Sequence, residues 1–364
     1  MGASITSLTV LLTNLCLDWP SGTVVYTRDL ALELQWLGHR PIVYTWLNGQ
    51  VGLELAAAGV QVVTDLWRVH VRPDVFHGHH GPLVRGALLR FPDVPAVVFC
   101  HNSKDPWDAP APDPGIRRYF GVSELCATRL LSLGARDEAT SVRPNFVDVR
   151  KYTPKRTHPP RPARALIFDN YTTADTNLPT TKEAMARAGI ALDAVGHNLG
   201  RVSAHPENLL SDYDLVFAVG KAALEAMAVG AAVVLCSGPG LGPMVTTASF
   251  DGLRAKNFGM AALADQVTLD GIERAIGGYD PAARPRYGIS SENSAASRRR
   301  RRNWWRSTRT LSPKRRLQAL PLRAELQPAP ATVASPQSVI ARPRCQWSPS
   351  TGPSGLGRAG FPDR

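Results

Sequence analysis

The sequence predicts an α/β protein with two successive doubly wound domains, a cleft between them and a disordered tail after them. Apolar runs of strand length alternate with helical stretches, which is typical of a doubly wound parallel sheet. The alternation stops at a segment rich in proline and basic residues and then starts again. It ends near Tyr287. The predicted bounds are 1–152 for the first domain, 153–162 for a linker, 163–290 for the second domain and 291–364 for the tail.

The first block is predicted to alternate regularly between strands and helices. A loop over Cys16–Thr23 follows the first strand, and Gly38 and Gly134 are placed where helices end. The predicted strands are Leu8–Leu12, Pro41–Thr45, Val60–Val63, Val75–His77, Ala96–Cys100 and Tyr119–Val122, and the predicted helices are Thr23–Leu37, Leu53–Ala58, Leu83–Arg90 and Glu124–Leu133.

The second block repeats this pattern. Its most informative stretch, Tyr213–Cys236, predicts a strand, a glycine turn, a helix and a buried strand. The other predicted elements are strands over Ala165–Asp169 and Ile190–Val195 and helices over Thr180–Ala188 and Ala261–Ile276.

The helix that begins at Gly220 carries two charged residues among apolar ones. Lys221 and the first helical N–H groups lie where a phosphate would bind. Glu225, one turn further on, can accept hydrogen bonds from a ribose, or it is a solvated helix residue. Ligands of such sheets bind where strands end and helices begin. The sequence therefore predicts a nucleotide site around Gly220, Lys221 and Glu225.

The basic charge of the chain is concentrated at its end. Residues 298–364 hold 15 Lys/Arg and 2 Asp/Glu, a net +13, whereas the remainder holds 27 basic and 28 acidic residues. This segment lacks any sustained apolar period, which predicts a disordered tail that binds polyanions without specificity. Its texture resembles a translated wrong reading frame of a GC-rich gene; a genuine disordered tail is the alternative.

Cysteine usage and hydropathy predict a cytoplasmic protein. The five cysteines are odd in number and form no C-x-x-C motif, as expected of buried thiols in a reducing compartment. No apolar run reaches membrane-spanning length. The first apolar run lacks the features of a secretory signal and is predicted to be a strand.

Several short motifs, in this order and spacing, resemble those of GT-B glycosyltransferases of the large retaining family that uses nucleotide-sugar donors (glycosyltransferase family 4-like). The most specific is G-K-A-A-L-E-A-M-A-V-G. The motifs are Ser21–Leu34, Leu37–Tyr44, Pro73–His80, Val97–Asn102, Gly121–Glu124, Arg143–Asp148 and Gly220–Gly230.

The resemblance implies two facing Rossmann-like domains, with the acceptor mainly on the first domain and the nucleotide-sugar mainly on the second. It implies a hexosyltransferase of carbohydrate biosynthesis that needs no structural metal and no cofactor, because the nucleotide-sugar is a substrate. By resemblance, Glu225 matches the second glutamate of the Glu-x7-Glu pattern and holds the ribose hydroxyls. His101 matches a histidine near the donor sugar and is the predicted catalytic residue; a plain loop histidine is the alternative.

Two positions depart from the family pattern. The first glutamate of the Glu-x7-Glu pattern would fall at 217, which is Phe217. The loop Asp169–Thr173 lacks the cations that usually neutralise the diphosphate, and Lys182 is the nearest basic residue beyond it. Lys221 is therefore the predicted phosphate cation.

Two glycine turns are further candidates for the donor site. Gly22 precedes a helix start and allows a phosphate or sugar to approach the backbone, or it is an ordinary turn glycine. The turn Gly238–Gly242 is either a phosphate or acceptor loop or a plain turn.

The histidines near residue 80 do not predict a metal site. His77, His79 and His80 have no cysteine or carboxylate nearby to complete a ligand set, and the two adjacent ones point apart on a strand.

The sequence thus predicts a glycosyltransferase that moves a sugar from a nucleotide-diphosphate donor to an unknown sugar, lipid or small-molecule acceptor. Three alternatives stay open. They are a catalytically inactive sugar-nucleotide-binding relative, an enzyme like the UDP-sugar epimerases, and a nucleic-acid binder that acts through its arginine-rich tail.

Overall fold

The computed structural model describes residues 7–280, apart from residues 109, 156–158, 204 and 239. The predicted tail over 291–364 and its arginine run lie outside the described residues. Within the described part of the chain, no helix is long and apolar enough to cross a lipid bilayer.

The first sheet is parallel throughout, in the order β3-β2-β1-β4-β5-β6-β7. Its strands are β1 (Thr9–Leu17), β2 (Arg40–Asn48), β3 (Gln61–Val63), β4 (Val75–His79), β5 (Ala96–Cys100), β6 (Ile116–Gly121) and β7 (Thr140–Val142). The helices between them are α1 (Gly22–Trp36), α2 (Gln50–Ala57), α3 (Gly81–Arg90) and α4 (Glu124–Ser132).

The second sheet has the order β13-β12-β11-β10-β8-β9. The four strands from β11 to β9 are parallel, whereas β12 and β13 pair antiparallel at one edge. Its strands are β8 (Arg164–Phe168), β9 (Ala191–Val195), β10 (Leu215–Ala218), β11 (Ala232–Ser237), β12 (Gly240–Met244) and β13 (Asp265–Gln266). Its helices are α5 (Asn177–Arg187), α6 (Pro206–Leu209), α7 (Gly220–Ala228), α8 (Phe250–Ala255) and α9 (Leu269–Gly277).

The predicted α/β class is confirmed, with one parallel sheet and a second sheet that is parallel apart from β12 and β13. The first sheet ends at Val142 and the second begins at Arg164, on either side of the predicted linker. The domain bounds themselves stay a prediction.

Apolar side chains cover both faces of the second sheet, as expected of parallel strands that lie between two layers of helices. Along β10, Val216 and Ala218 belong to the cluster that contains α7, while Leu215 and Phe217 belong to the cluster on the opposite face. This alternation follows from the two-residue period of a strand. The carboxyl end of β10 and the start of α7 lie at the edge of the sheet where ligands of such folds bind.

Several predicted elements were wrong in extent: β2, β6, α2 and α5 all begin earlier than predicted, and two further differences have a clear structural reason. The loop predicted over Cys16–Thr23 is shorter, because β1 continues to Leu17 along the equally long β2. The helix predicted over Ala261–Ile276 is a short 3-10 turn over Met260–Ala262, then β13, and only then α9. That last helix begins where the Thr268 hydroxyl accepts the N–H of Gly271 (3.1 Å), an N-cap that the apolar pattern does not reveal.

Candidate functional site

The two sheets each have a switch point, where neighbouring strands lead to connections on opposite sides. In the first sheet it lies between β1 and β4, and in the second between β8 and β10. Ligands of open α/β sheets bind outside the carboxyl ends of the strands at such points. Gly22 follows β1, and Gly220 and Lys221 follow β10. The chain thus places these predicted residues at switch-point edges.

The turn from β10 into α7 depends on Gly220, which adopts a left-handed φ of 58°. Its N–H donates to the carbonyl of Phe258 at 2.8 Å and so is already satisfied. Val219, the residue before the helix, offers no side-chain cap to the N–H groups of the first turn. The positive end of α7 therefore carries uncapped N–H groups, as a phosphate site requires.

Lys221 is buried, with 6% of its surface exposed, and its ammonium joins the two sheets. Nζ donates to Asp29 Oδ2 at 2.9 Å and to the carbonyl of Phe146 at 3.2 Å. It also lies 3.4 Å from Glu225 Oε1. Two of the three N–H donors of the ammonium are thus hydrogen-bonded, and its contact with Glu225 is an ion pair. A phosphate could bind this group only alongside or in place of one of them.

Asp29 lies on α1 and binds two cations. Arg28 donates from Nε and Nη2 to Asp29 Oδ1 at 3.2 and 3.1 Å, while Lys221 takes the other oxygen. With Glu225, these residues form the buried charge cluster, defined here as Arg28, Asp29, Lys221 and Glu225. Two cations and two carboxylates make the cluster neutral when all four are ionised.

Glu225 is 4% exposed and completes the charge cluster from the second turn of α7. Its Oε1 is enclosed and, among the described residues, has the ion pair with Lys221 but no hydrogen-bond partner. Burial raises the pKa of this carboxyl, and the neighbouring Lys221 lowers it by less. An acceptor oxygen without a donor at the predicted ligand edge is what a ribose hydroxyl would satisfy.

Asp29 and Lys221 support each other's charge. Burial raises the pKa of Asp29, but Lys221 and Arg28 outweigh it and hold that pKa below its usual value. Burial likewise lowers the pKa of Lys221, and Glu225 and Asp29 together raise it by more. Both residues are therefore charged at neutral pH.

His101 lies directly after β5, at the carboxyl edge of the first sheet. Its backbone N–H and that of Asn102 both donate to Asp108 Oδ2, which fixes the loop. Burial raises the pKa of Asp108 well above its usual range. On its ring, His101 Nε2 lies 2.9 Å from His79 Nδ1, and burial lowers the pKa of His101 to about 3. His101 is therefore a neutral imidazole held at two points.

The histidines that sequence reasoning weighed as metal ligands form an aromatic cluster instead. His77 stacks on Phe99 with ring centroids 4.5 Å apart, and the ring of Tyr26 lies edge-on to His79 at 5.2 Å. His80 has a left-handed φ of 63°, and its Nδ1 accepts the N–H of Leu15 at 3.1 Å. Among the described residues, no group of three His, Cys, Asp or Glu side chains is arranged to hold a metal ion.

A chain of ring contacts connects His101 with Lys221 across the two sheets. Lys221 Nζ lies 5.2 Å from the centre of the Phe146 ring, and that ring is 4.7 Å from the ring of Tyr26. Tyr26 is in turn 4.9 Å from the ring of His101. Lys221 is close enough for its charge to lower the pKa of His101. The structure thus brings the predicted catalytic histidine and the predicted donor-site helix together.

Gly22 is exposed at the start of α1, and a Cβ added there would meet no atom within 4 Å. Internal packing therefore does not require a glycine at this position. That freedom is compatible with a site where a ligand approaches the backbone.

The structure shows what surrounds the two positions that depart from the family pattern, Phe217 and the loop that follows β8. Phe217 is fully buried in the core face of β10, where no ligand reaches it. Asp169 begins the loop after β8 and is buried, and it accepts hydrogen bonds from Thr172 Oγ1 (2.8 Å) and Ser237 Oγ (2.9 Å). The loop is thus tied to the end of β11 by a carboxylate instead of presenting a cation.

The candidate turn Gly238–Gly242 runs into a strand. Gly240–Met244 is β12, which pairs antiparallel with β11. A Cβ at Gly240 would lie 2.8 Å from Leu263 Cβ, so close packing alone accounts for that glycine. Among the described residues of this segment, none makes a hydrogen bond or ring contact with Tyr26, Phe146 or Lys221.

Sequence reasoning missed three of the partners that hold the site, Arg28, Asp29 and Asp108. It considered His79 only as a possible metal ligand. A charged pair within the apolar helix α1 was a visible signal, since Arg28 and Asp29 are buried among Val24, Val25 and Ala31. Nothing local marks Asp108, whose role depends on a fold-back onto the end of β5.

No protein-family model and no curated protein matches this chain. Among solved structures, it is similar to HepE from Anabaena in complex with UDP and glucose, with 15% identity over 62% of this chain and 80% of that chain and a TM-score of 0.47. It is also similar to the lipopolysaccharide outer core galactosyltransferase WaaB, with 11% identity over 80% of this chain and 100% of that chain and a TM-score of 0.45. A third is a UDP-N-acetylglucosamine 2-epimerase, with 12% identity over 78% of this chain and 93% of that chain and a TM-score of 0.43.

Proposed function

We propose that this chain is a GT-B glycosyltransferase that moves a sugar from a nucleotide-diphosphate donor to an acceptor. The observation that carries the proposal is the series of ring contacts that connects His101, at the carboxyl edge of the first sheet, with Lys221 at the start of α7 in the second. These two positions belong to separate motifs of the resemblance. A donor bound there would have its sugar beside one sheet and its nucleotide beside the other.

Each residue has a role that fits its setting. The uncapped N–H groups of α7 and the ammonium of Lys221 would hold the diphosphate, on which negative charge develops as the sugar leaves. The Oε1 of Glu225, which has no hydrogen-bond partner among the described residues, would accept a ribose hydroxyl. The neutral ring of His101 would hydrogen-bond the donor sugar, and Gly22 would allow the substrate to approach the backbone of α1. Gly220 supplies the turn that aims the helix.

A cytoplasmic setting is part of the proposal. Three cysteines, Cys100, Cys126 and Cys236, are buried thiols without a disulfide, which suits a reducing compartment.

The first experiment is a thermal-shift series with UDP-glucose, GDP-mannose and ADP-glucose. A ligand that binds only the folded state raises the melting temperature, and the shift grows with ligand concentration. We expect one of these donors to stabilise the protein more than its nucleoside monophosphate does. If no nucleotide shifts the transition at millimolar concentration, the proposal is wrong.

Glu225→Gln tests the ribose contact and keeps the shape of the side chain. We expect the affinity for the ribonucleotide-sugar to fall about ten- to hundredfold, since a hydrogen bond to a charged group contributes about 1.5–3 kcal/mol. The 2′-deoxy form of the same donor should lose much less. Glu183→Gln, on the exposed face of α5, is the matched control and should leave both affinities unchanged.

A catalytically inactive relative that only binds sugar nucleotides is the second candidate. It is favoured by the two hydrogen bonds and the ion pair that the Lys221 ammonium already makes within the protein, and by Phe217 in the place of a carboxylate. Release of nucleoside diphosphate from the bound donor separates the two candidates. Turnover identifies the transferase, and tight binding without any turnover identifies the inactive relative. A change in sugar configuration without an acceptor would instead identify an epimerase.

A further inference from the structure

The His79–His101 contact determines more than the position of His101. The two ring nitrogens, His79 Nδ1 and His101 Nε2, are 2.9 Å apart, which is a hydrogen-bond distance. When both rings are neutral, one of these nitrogens carries a proton and donates it, and the other accepts it. Burial lowers the pKa of His101 to about 3 and places that of His79 well below its usual value. Both rings are therefore neutral at physiological pH, and each carries a single proton.

His79 has only two places for its proton, and the two differ in what they leave buried. Its side chain is 0% exposed, and its Nε2 has no hydrogen-bond partner among the described residues. A proton on Nε2 would leave a buried N–H without an acceptor, which is rarer in proteins than a buried acceptor without a donor. A proton on Nδ1 instead forms the hydrogen bond to His101 Nε2. In that arrangement only the lone pair of His79 Nε2 is without a partner.

We propose that His79 is a positioning residue that sets the tautomer of His101. His79 Nδ1–H donates to His101 Nε2, and the single proton of His101 is consequently on Nδ1. His101 thus presents an N–H donor, through Nδ1, to an oxygen of the ligand. The ligand side of this inference rests on the proposed function, whereas the tautomer itself does not.

The setting of both residues fits a fixed donor. Thr13 Oγ1 donates to the carbonyl of His79 at 2.7 Å and accepts its N–H at 2.9 Å, so the end of β4 is clamped. Asp108 clamps the backbone of His101 in the same way. No hydrogen bond is made by His101 Nδ1 to any described residue, which leaves that nitrogen for a ligand. The rings of Tyr26 and Phe99 surround the pair and contribute no competing charge.

The tautomer can be measured directly by NMR of protein with 15N-labelled histidine rings. Protonated and unprotonated ring nitrogens have well-separated 15N shifts, and long-range couplings to the ring protons tell Nδ1 from Nε2. Signals are assigned by their loss in His101→Gln and His79→Leu. We expect His101 to carry its proton on Nδ1 in the unmodified protein. A proton on His101 Nε2 would overturn the proposal.

Two variants test the cause. His79→Leu removes the donor, so we expect the Nε2–H form of His101 to rise to a substantial fraction. In His79→Asn the amide nitrogen takes the place of Nδ1, so the Nδ1–H form of His101 should be kept. An unchanged His101 tautomer in His79→Leu would contradict the positioning role. His70→Leu, at an exposed position before β4, is the control and should leave the His101 signals unaltered.

Calorimetric titration with UDP-glucose and UDP, and with GDP-mannose and GDP, tests the consequence for binding. We expect His79→Leu to weaken the sugar nucleotide about three- to tenfold and the nucleoside diphosphate hardly at all, with recovery in His79→Asn. Equal losses for both ligands would overturn the donor role of His101. If the unmodified protein binds none of the four, the proposed function fails, and the NMR result still decides the tautomer.

Discussion

Lys221 links the helix α7 of the second sheet to residues that precede that sheet. Its ammonium bonds to Asp29 on α1 and to the carbonyl of Phe146, while its own helix belongs to the second sheet. Removing one partner of a buried ion pair leaves an uncompensated charge in a medium that solvates it poorly. Replacing Lys221 should therefore destabilise the protein mainly because Asp29 and Glu225 would stay buried without their shared cation.

We expect Lys221→Met to lower the free energy of unfolding by about 3–5 kcal/mol, because Asp29 and Glu225 lose their shared cation. The double variant Lys221→Met/Asp29→Asn should lose clearly less than the sum of the two single losses. Urea denaturation of the four proteins gives this coupling. Lys182→Met, exposed on α5, serves as the control and should change stability by less than about 0.5 kcal/mol. Additive losses would show that the pair is not coupled.

Burial also makes the histidine cluster a source of pH dependence. It lowers the pKa of His77 from 6.5 to about 3, so the unfolded chain binds a proton at a pH where the folded protein does not. The contribution to stability is thus complete above pH 6.5 and is lost as the pH falls toward 3. The slope for one histidine is at most about 1.4 kcal/mol per pH unit.

We expect His77→Phe to make the loss of stability between pH 6 and pH 4 shallower, by up to about 1.4 kcal/mol per pH unit. Phenylalanine keeps the stacking on Phe99 and removes a buried Nε2 that lacks a partner, so stability at pH 7 should be unchanged or higher. Denaturation at a series of pH values measures both effects. His70→Phe should keep the original slope. Parallel curves for His77→Phe and the unmodified protein would contradict the argument.

Some residues of the site could be recognised from the sequence, and others could not. Lys221 and Glu225 stand out locally, as two charges in an apolar helix after a glycine turn. Their partner Asp29 is 192 residues from Lys221 along the chain, and no local pattern connects them. The burial of Lys221 and Glu225 was for that reason not foreseen. His79 was noticed only as one of three histidines, because the contact with His101 depends on the pairing of β4 with β5.

At the scale of elements, β6 and α4 pack closely against each other at Gly121. A Cβ at Gly121 would lie against the backbone of Ala127, including 2.8 Å from its Cα, and backbone cannot move aside as a side chain can. This glycine is therefore required by the approach of a helix to a strand, and not by its own backbone conformation.

We expect Gly121→Ala to destabilise the protein by at least about 1–3 kcal/mol, because the added methyl group forces α4 away from the sheet. Thermal denaturation followed by circular dichroism measures the change. Gly252→Ala is the control, since a Cβ at this position of α8 meets nothing within 4 Å. It should be neutral or stabilising by up to about 1 kcal/mol. A neutral Gly121→Ala would mean that the two elements can separate without loss.

Elements were predictable where the local pattern and the tertiary environment agree. The predicted bounds of β5, Ala96–Cys100, are those observed, because a short apolar run ends at both sides in polar or turn residues. β12 was not predicted, since Gly-Leu-Gly-Pro-Met has little strand propensity and becomes a strand only by pairing with β11.

At the scale of the whole molecule, charge is divided unevenly along the chain. Residues 298–364 hold a net +13, and the remainder is close to neutral. Attraction to polyanions should therefore belong to that segment alone.

We expect a chain that ends at Tyr287 to bind heparin and DNA far more weakly than the full chain, and to unfold at the same temperature. The loss of binding follows from the charge, and the unchanged stability follows from the lack of an apolar period in the removed sequence. Salt-dependent retention on heparin and a thermal melt measure the two. Slow-exchanging amides within 298–364 would contradict the predicted disorder, as would a lower melting temperature.

The large sequence separation between Asp29 and Lys221 has a consequence for the rate at which the protein unfolds. Contacts between such distant residues require a large loop to close, so we expect this one to form after each sheet has assembled. A contact that is absent from the folding transition state slows escape from the native state and hardly affects the speed of reaching it. The ion pair would therefore slow unfolding, and so lengthen the half-life of the folded protein in the presence of proteases or at high temperature.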